Sequence, residues 1–190
     1  MIKNIIFDIG GIITIERQAM AFDYLNDEER EELNNIVVFN DKFHEVIIGN
    51  ISSEEYKKLL LKDNKKYKKE ISEWFNKEKL SMTIPRNNEM IDLLYELKGK
   101  YNIYFLSDMI DITYDYLKDI LEDFNGGVYS YQEHIKKPDE KMFTTLIDRY
   151  NLDINETIYF DDRMKNINAA KELGIKAIKF ETKEDVINNI

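Results

Sequence analysis

The spacing of apolar residues divides this chain into two kinds of segment. Residues 3–7 (KNIIF) are β-branched or aromatic at most positions and stop at a lone acid, Asp8, followed by Gly10-Gly11. That pattern predicts a strand ended by glycine punctuation. From residue 17 to about 84 the chain is heavily charged and has few strand signals. Helix formers collect at residues 28–33, 53–61 and 72–80, and Ser52-Ser53-Glu54-Glu55 has the form of a helix start with acids in its first turn. The Lys- and Asn-rich residues 62–69 read as a solvated face or loop.

After Pro85 the pattern alternates. Apolar residues at helical spacing over 89–97 run to Gly99, and residues 101–106 form a clear strand ending at Ser107-Asp108. A helix over 113–121, a short strand at 128–130 and a helix from about 139 to 150 follow. Residues 157–160 predict another strand, ending at Asp161-Asp162. A helix over 164–173 stops at Gly174, and residues 175–180 form a last strand.

Alternating strands and helices predict an α/β fold, a Rossmann-like parallel sheet with helices on both faces. Residues 1–15 and 86–190 would form that core. Residues 16–85 would be an all-helical cap inserted after the first strand. Ligands of such sheets bind beyond the carboxyl ends of the strands. Asp8, Ser107-Asp108 and Asp161-Asp162 all fall at that edge.

Composition narrows the class. The 190 residues suit one core with a modest insertion, and 43% hydrophobic residues are enough to bury it. No apolar run approaches the ~20 residues of a membrane span. Asp8 interrupts the only apolar stretch near the start, so no secretory signal is predicted. The chain has no cysteine, which excludes disulfides and thiol chemistry and is compatible with a cytoplasmic protein. A net charge of −10 argues against nucleic acid as a partner. An acidic chain still binds phosphate when a few cations are focused in one cleft.

Taken singly, these residues have ordinary readings. A strand-end acid or serine caps a helix, an acid pair complements a helix dipole, and Lys136-Lys137 forms a solvated pair. Their order is more specific. FDIGG, FLSD, KKPDEKMF and YFDDRMKNINAAKELGI follow one another along the chain. In this order they resemble the four motifs of the haloacid dehalogenase-like superfamily of phosphohydrolases. The first motif and residues 43–52 look most like the sugar-phosphate phosphatase branch. That branch is similar to bacterial glucose-1-phosphate phosphatases and to the N-terminal domain of soluble epoxide hydrolase.

The resemblance implies a mechanism. Asp8 is the nucleophile and forms an aspartyl-phosphate. Ser107 holds a phosphoryl oxygen, and Lys137, directly before Pro138, neutralises charge. Gly10, Gly11 and Asp108 line the substrate site. Mg²⁺ is held by Asp8, the Gly10 carbonyl and the Asp161-Asp162 pair, with Asp162 the first choice for direct ligation and Asp161 binding directly or through water. The substrate is a small phosphorylated metabolite, of sugar-phosphate type.

Two departures stand out. Gly10 occupies the position where most of these phosphatases carry the acid that protonates the leaving group, a function typically worth about 10²–10⁴ in rate. Glu16 and Thr14 are the nearby candidates to replace it through a water. Gly10→Asp would restore the acid unless this glycine has a positive φ. Asp108 stands where asparagine is common and adds negative charge beside an anionic substrate. Two other classes compete: a weakened phospholigand- or partner-binding protein, and a haloacid dehalogenase, against which the retained acid pair argues. His44 reads as a packed or surface histidine of the cap, and Trp74 and Phe75 read as its core.

Overall fold

The computed structural model describes all 190 residues. Five strands, β1 (Asn4–Phe7), β2 (Asn102–Ser107), β3 (Gly126–Tyr129), β4 (Thr157–Asp161) and β5 (Lys176–Lys179), form one sheet. It is parallel throughout, in the order β3-β2-β1-β4-β5. The first strand therefore lies in the middle, with Phe7 in register with Phe105 on one side and Phe160 on the other. β1 is buried along its whole length, as a central parallel strand must be.

Between β1 and β2 the chain makes a block of five helices: α1 (Asp27–Val37), α2 (Asp41–Ile47), α3 (Ser53–Asp63), α4 (Lys68–Trp74) and the single turn α5 (Leu80–Thr83). Capping starts several of them. Asn26 and Ser52 each form a reciprocal capping box with the glutamate three residues on. The block has its own core, which includes Val37, Val46, Tyr56, Ile71 and Trp74. The remaining helices are α6 (Asn88–Leu97), α7 (Asp111–Leu121), the turn α8 (Ser130–Glu133), α9 (Glu140–Tyr150), α10 (Met164–Glu172) and α11 (Lys183–Ile187).

Period-two alternation in the strands builds two cores. Ile5, Phe7, Phe105 and Phe160 face α6, α7 and α11. Ile6, Leu106, Tyr159 and Ala177 face α9 and α10. Burying one such side chain is worth about 1.5–3 kcal/mol, so the two faces fix the register firmly.

The two chain crossings between sheet and helical block run side by side. Ile15 N–H donates to Pro85 O, Arg17 N–H to Thr83 O and Asn87 N–H to Ile13 O, each at 2.8 Å. A second attachment lies at the far side. The Ser130 hydroxyl donates to Ile47 O at 2.6 Å, and the Asp111 carboxylate accepts from Ser53 N–H at 3.2 Å. Gly49, at φ +71°, lies so close to Tyr131 O that a Cβ there would stand 2.1 Å away. Only glycine fits.

Some local expectations need correction. The helix expected over residues 72–80 is interrupted after Trp74, because the Asn76 side chain accepts from Glu78 N–H and starts a new turn. Residues 62–69 are mostly solvated, but they include the end of α3 and the start of α4. Helices α2, α8 and α11 were absent from the sequence reading. Each has seven residues or fewer, too short for a clear helical period.

Candidate active site

The register of the sheet brings the acids together. β1 ends in Phe7, and Asp8 N–H continues the ladder by donating to Phe160 O at 2.9 Å. Asp161, the last residue of β4, is thereby set beside Asp8. Asp8, Asp161 and Asp162 each place a carboxylate oxygen within 4.8 Å of the others. Ser107 ends β2 on the opposite side of β1.

Lys137 reaches this edge from the loop before α9. Its ammonium lies 2.8 Å from Asp8 Oδ2 and 2.8 Å from Asp161 Oδ2. It also donates to Leu106 O at 3.0 Å and to the Tyr159 hydroxyl at 3.3 Å. The side chain is 1% exposed, so this charge is almost wholly desolvated. Burial disfavours the ammonium, but Asp8, Asp161 and Asp108 outweigh it and raise its pKa. A buried cation with two carboxylate partners is a fixed charge, unlike the solvated lysine of the ordinary reading.

The two carboxylates beside Lys137 behave differently. Burial pushes Asp8 up to about 8, against the opposing pull of Lys137. Asp161 is equally deep but lies below its ordinary value: burial would raise it, and Lys137, Tyr159 and the Arg163 N–H overcome that. The number of donors explains the contrast. Asp161 Oδ1 accepts from Arg163 N–H at 2.8 Å and from Asn166 Nδ2 at 3.0 Å. Its Oδ2 accepts from Lys137, Asn166 and the Tyr159 hydroxyl. Asp8 accepts from Lys137 and, at 2.6 Å, from its neighbour's amide Ile9 N–H.

Asp162 is the opposite case. Its Oδ1 is buried and has no hydrogen-bond partner. Burial raises its pKa. Its nearest cation is the Arg163 guanidinium, at 3.8 Å, and a buried carboxylate oxygen without a hydrogen bond beside two other acids has the character of a hard-cation ligand. The donor set fits Mg²⁺.

The glycines are placed as the turn requires. Gly11 has φ +76°, and a Cβ on it would meet Asp162 Oδ2 at 2.7 Å. Gly10 lies outside the positive-φ region, so the backbone strain expected for a side chain there does not arise. The obstacle is another residue: a Cβ on Gly10 would stand 2.7 Å from Glu16 Oε1. Asp108 Oδ1 accepts from Lys137 N–H at 2.9 Å, so this acid also orients the lysine loop.

A cavity of about 340 Å³ opens between this edge and the helical block. Gly10, Ser107 and Asp108 line its floor, and Phe39, Phe43, Trp74 and Phe75 line the other wall. Three cations, Lys136, Arg163 and Lys165, gather around it in a chain of net charge −10. Lys136 thus lines the cavity and is not simply a solvated neighbour of Lys137. His44 is exposed, a surface residue and not a packed one, while Trp74 and Phe75 are buried as cap core and also face the cavity.

Sequence reasoning passed over Tyr159, Arg163, Lys165 and the placement of Glu16. Tyr159 carried a usable signal: it is two residues before Asp161 on one strand and therefore on the same face. Arg163 and Lys165 carried one too, since they closely follow the acid pair at the strand edge, whereas the return of Glu16 to Gly10 is a tertiary fact with no local signal.

The chain is similar to proteins of known class along most of its length. A model of haloacid dehalogenase-like hydrolases matches residues 2–174. D-ribitol-5-phosphate phosphatase of Bacteroides thetaiotaomicron is 27% identical over 203 aligned positions, spanning 97% of this chain and 95% of that protein. A haloacid dehalogenase-family enzyme from the same organism, crystallised with magnesium and inorganic phosphate, superposes with a TM-score of 0.74 at 25% identity, covering 96% of each chain. L-2-haloacid dehalogenase from Xanthobacter autotrophicus shares the fold at a TM-score of 0.67 and 12% identity, over 99% of this chain and 82% of that one. Since the family match runs through the strand-end acid, the buried lysine and the acid pair alike, the chain belongs to the haloacid dehalogenase-like hydrolases.

Proposed function

We propose that this protein is a Mg²⁺-dependent phosphatase of small phosphorylated metabolites, of the sugar- or polyol-phosphate type, working through an aspartyl-phosphate on Asp8. One observation carries the reading. The buried Lys137 ammonium lies 2.8 Å from the Asp8 carboxylate, and Asp8 brings an oxygen within 4.8 Å of both Asp161 and Asp162. A nucleophile, a charge-neutralising cation and a hard-ligand acid pair on one sheet edge suit phosphoryl transfer.

The roles follow from position. Asp8 attacks phosphorus and carries the phosphoryl group until water removes it. Lys137 offsets the charge that attacker and phosphate bring together. Ser107 offers a hydroxyl to a phosphoryl oxygen, and the Gly10-Gly11 backbone lets the phosphate approach. Asp8, the Gly10 carbonyl and Asp162 would hold Mg²⁺, while Asp161, saturated with donors, keeps Lys137 and Asn166 in place. When bound, the ion supplies positive charge to the phosphoryl oxygens. Residues 16–85 act as a cap that encloses the organic part of the substrate. The likeness to a polyol-phosphate phosphatase supports the substrate class, and Asp161-Asp162 beside Asp8 supports phosphate over organohalide chemistry.

The test is phosphate release from phosphorylated sugars and polyols with Mg²⁺, with EDTA, and in Asp8→Asn. We expect loss of at least about 10³-fold in the variant, with an unchanged fold, and loss on chelation. Undiminished turnover in EDTA or in Asp8→Asn would sink the mechanism. Tight phosphate binding with no turnover of any ester would replace the enzyme with a binding protein.

A further inference from the structure

Gly10 raises a chemical problem for the phosphatase reading. An alkoxide leaving group needs a proton as its bond to phosphorus breaks, and the attacking water must later lose one. The position that would supply an acid has no side chain, yet its space is filled. Glu16 Oε1 stands 2.7 Å from where a Cβ of residue 10 would be. Glu16 reaches there from the chain crossing, where Ile15 and Arg17 on either side are tied to Pro85 and Thr83. Arg163, which directly follows the acid pair, holds the carboxylate at 3.2 and 3.5 Å. Glu16 and Gly10 both line the cavity, and the Glu16 side chain is 35% exposed, so a substrate oxygen can reach it.

Other groups are less suited. The Thr14 hydroxyl is buried and donates to Ile9 O at 3.3 Å. Asp108 accepts from the backbone of Lys137. Asp161 has a donor at every face.

We propose that Glu16 is the acid and base of the reaction, reaching from a different point of the backbone the space that a side chain at position 10 would occupy. The absent Cβ of Gly10 is then what makes room for it. The proposal rests on the phosphatase reading and adds a residue to it. In the first half-reaction the Asp8 oxygen bonds to phosphorus, the ester P–O bond breaks, and the Glu16 carboxylic acid gives its proton to the departing oxygen. In the second, water bonds to phosphorus while the Glu16 carboxylate takes its proton, and the P–O bond to Asp8 breaks. Glu16 ends protonated, ready for the next substrate.

The experiment compares wild type with Glu16→Gln by rapid quench in Mg²⁺, using p-nitrophenyl phosphate and D-ribitol 5-phosphate as probes. A nitrophenolate leaves without a proton, so the variant should release one equivalent rapidly and then turn over about 10²-fold more slowly. With the alkyl ester there should be no burst, and the rate should fall by about 10²–10⁴. Wild-type rates on the alkyl ester in Glu16→Gln would overturn the proposal. So would a variant whose first half-reaction slows equally on both esters, since that marks a role in holding Arg163 alone. Asp8→Asn serves as the separating control. If nitrophenolate release survives in Asp8→Asn, or wild type hydrolyses neither probe, the aspartyl-phosphate reading itself falls and the Glu16 role falls with it.

Discussion

The two walls of the cleft are built from opposite materials. On the sheet side the lining includes Gly10, Ser107 and Asp108, and behind it Asp8, Lys137, Tyr159, Asp161 and Asn166 form a buried network in which each charge has a partner of opposite sign within 3 Å. On the helical side the lining is Val38, Phe39, Phe43, Ile47, Trp74 and Phe75. A buried ionic network tolerates little displacement, because every lost partner leaves a desolvated charge. An apolar wall has no such directional constraint, and it can change side chains while keeping its volume. Under the proposed function, the chemistry of the reaction belongs to the rigid wall and the choice of substrate to the adaptable one. That division suits a fold in which the helical block meets the core through two adjacent crossings and through contacts of Ile47, Ser53 and Lys77 with Ser130, Asp111 and Asp115.

The largest effect should come from breaking the rigid wall. Lys137→Ala leaves Asp8 and Asp161 buried without their cation. Turnover should fall by about 10³-fold, and stability by about 3–5 kcal/mol. Lys136→Ala, also on the cavity but not between the acids, should raise KM a few-fold and leave kcat unchanged. Steady-state kinetics and urea denaturation of the two variants check the contrast. Equal, mild effects would deny Lys137 its role in neutralising Asp8 and the phosphate.

A second test uses the raised Asp8 carboxyl. Its pKa in the folded chain is about 8 against an ordinary 3.8. A carboxyl raised by folding favours the folded state while protonated, and that contribution fades as pH rises from about 4 through 8. Asp162 shifts in the same direction. Asp161 shifts the other way, so it is already ionised in this window. Without Mg²⁺, thermal stability should therefore decline between pH 5 and 8, and Asp8→Asn should remove most of that slope. The same proton competes with the metal. Mg²⁺ affinity by calorimetry should rise by up to about tenfold per pH unit below 8 and then level off. An affinity independent of pH over that range would show that Asp8 is ionised without the ion.

The adaptable wall should respond more gently. Phe43→Ala shortens one cavity side chain without touching Asp8, Lys137 or the acid pair. It should shift kcat/KM among phosphorylated substrates by about tenfold, from lost contact with the organic part, while Mg²⁺ affinity stays constant. A parallel loss of metal binding would mean that the two walls are coupled.

This division also accounts for what could be read from the sequence. Asp8, Ser107 and Asp161 were legible because each lies at the end of an apolar run, and parallel pairing leaves such residues at one edge. Lys137 was legible only through its setting before Pro138; its burial between two acids is a tertiary fact. The helical block was legible as helical, since Ser52 carries cap chemistry, but the orientation of its helices was not. Glu16 shows the limit most clearly. Six positions from Gly10 in sequence, it returns to it only because Ile15 and Arg17 pair with Pro85 and Thr83 across the crossing. No local period encodes that pairing.

The smallest predicted effect concerns Asp108, where the walls meet. Its negative charge lies on the cavity floor and contributes to keeping Asp8 protonated, after burial and Asp161. By charge alone, removing it should help an anionic substrate. But Asp108 Oδ1 also accepts from Lys137 N–H at 2.9 Å, and that bond holds the loop carrying the buried lysine. Asp108→Asn separates the two roles, because an amide oxygen still accepts while the charge is gone. We expect KM for a phosphate ester to fall by about two- to five-fold with kcat maintained, a change on the order of 0.5–1 kcal/mol. Asp108→Ala loses both roles and should lower kcat, because a freed Lys137 backbone lets the ammonium drift from its 2.8 Å contacts. If Asn and Ala behave alike, the hydrogen bond is dispensable and the charge alone matters. If Asp108→Asn instead weakens substrate binding, the aspartate is recognising a hydroxyl of the substrate. The cap would then share its hold on specificity with the rigid wall below it.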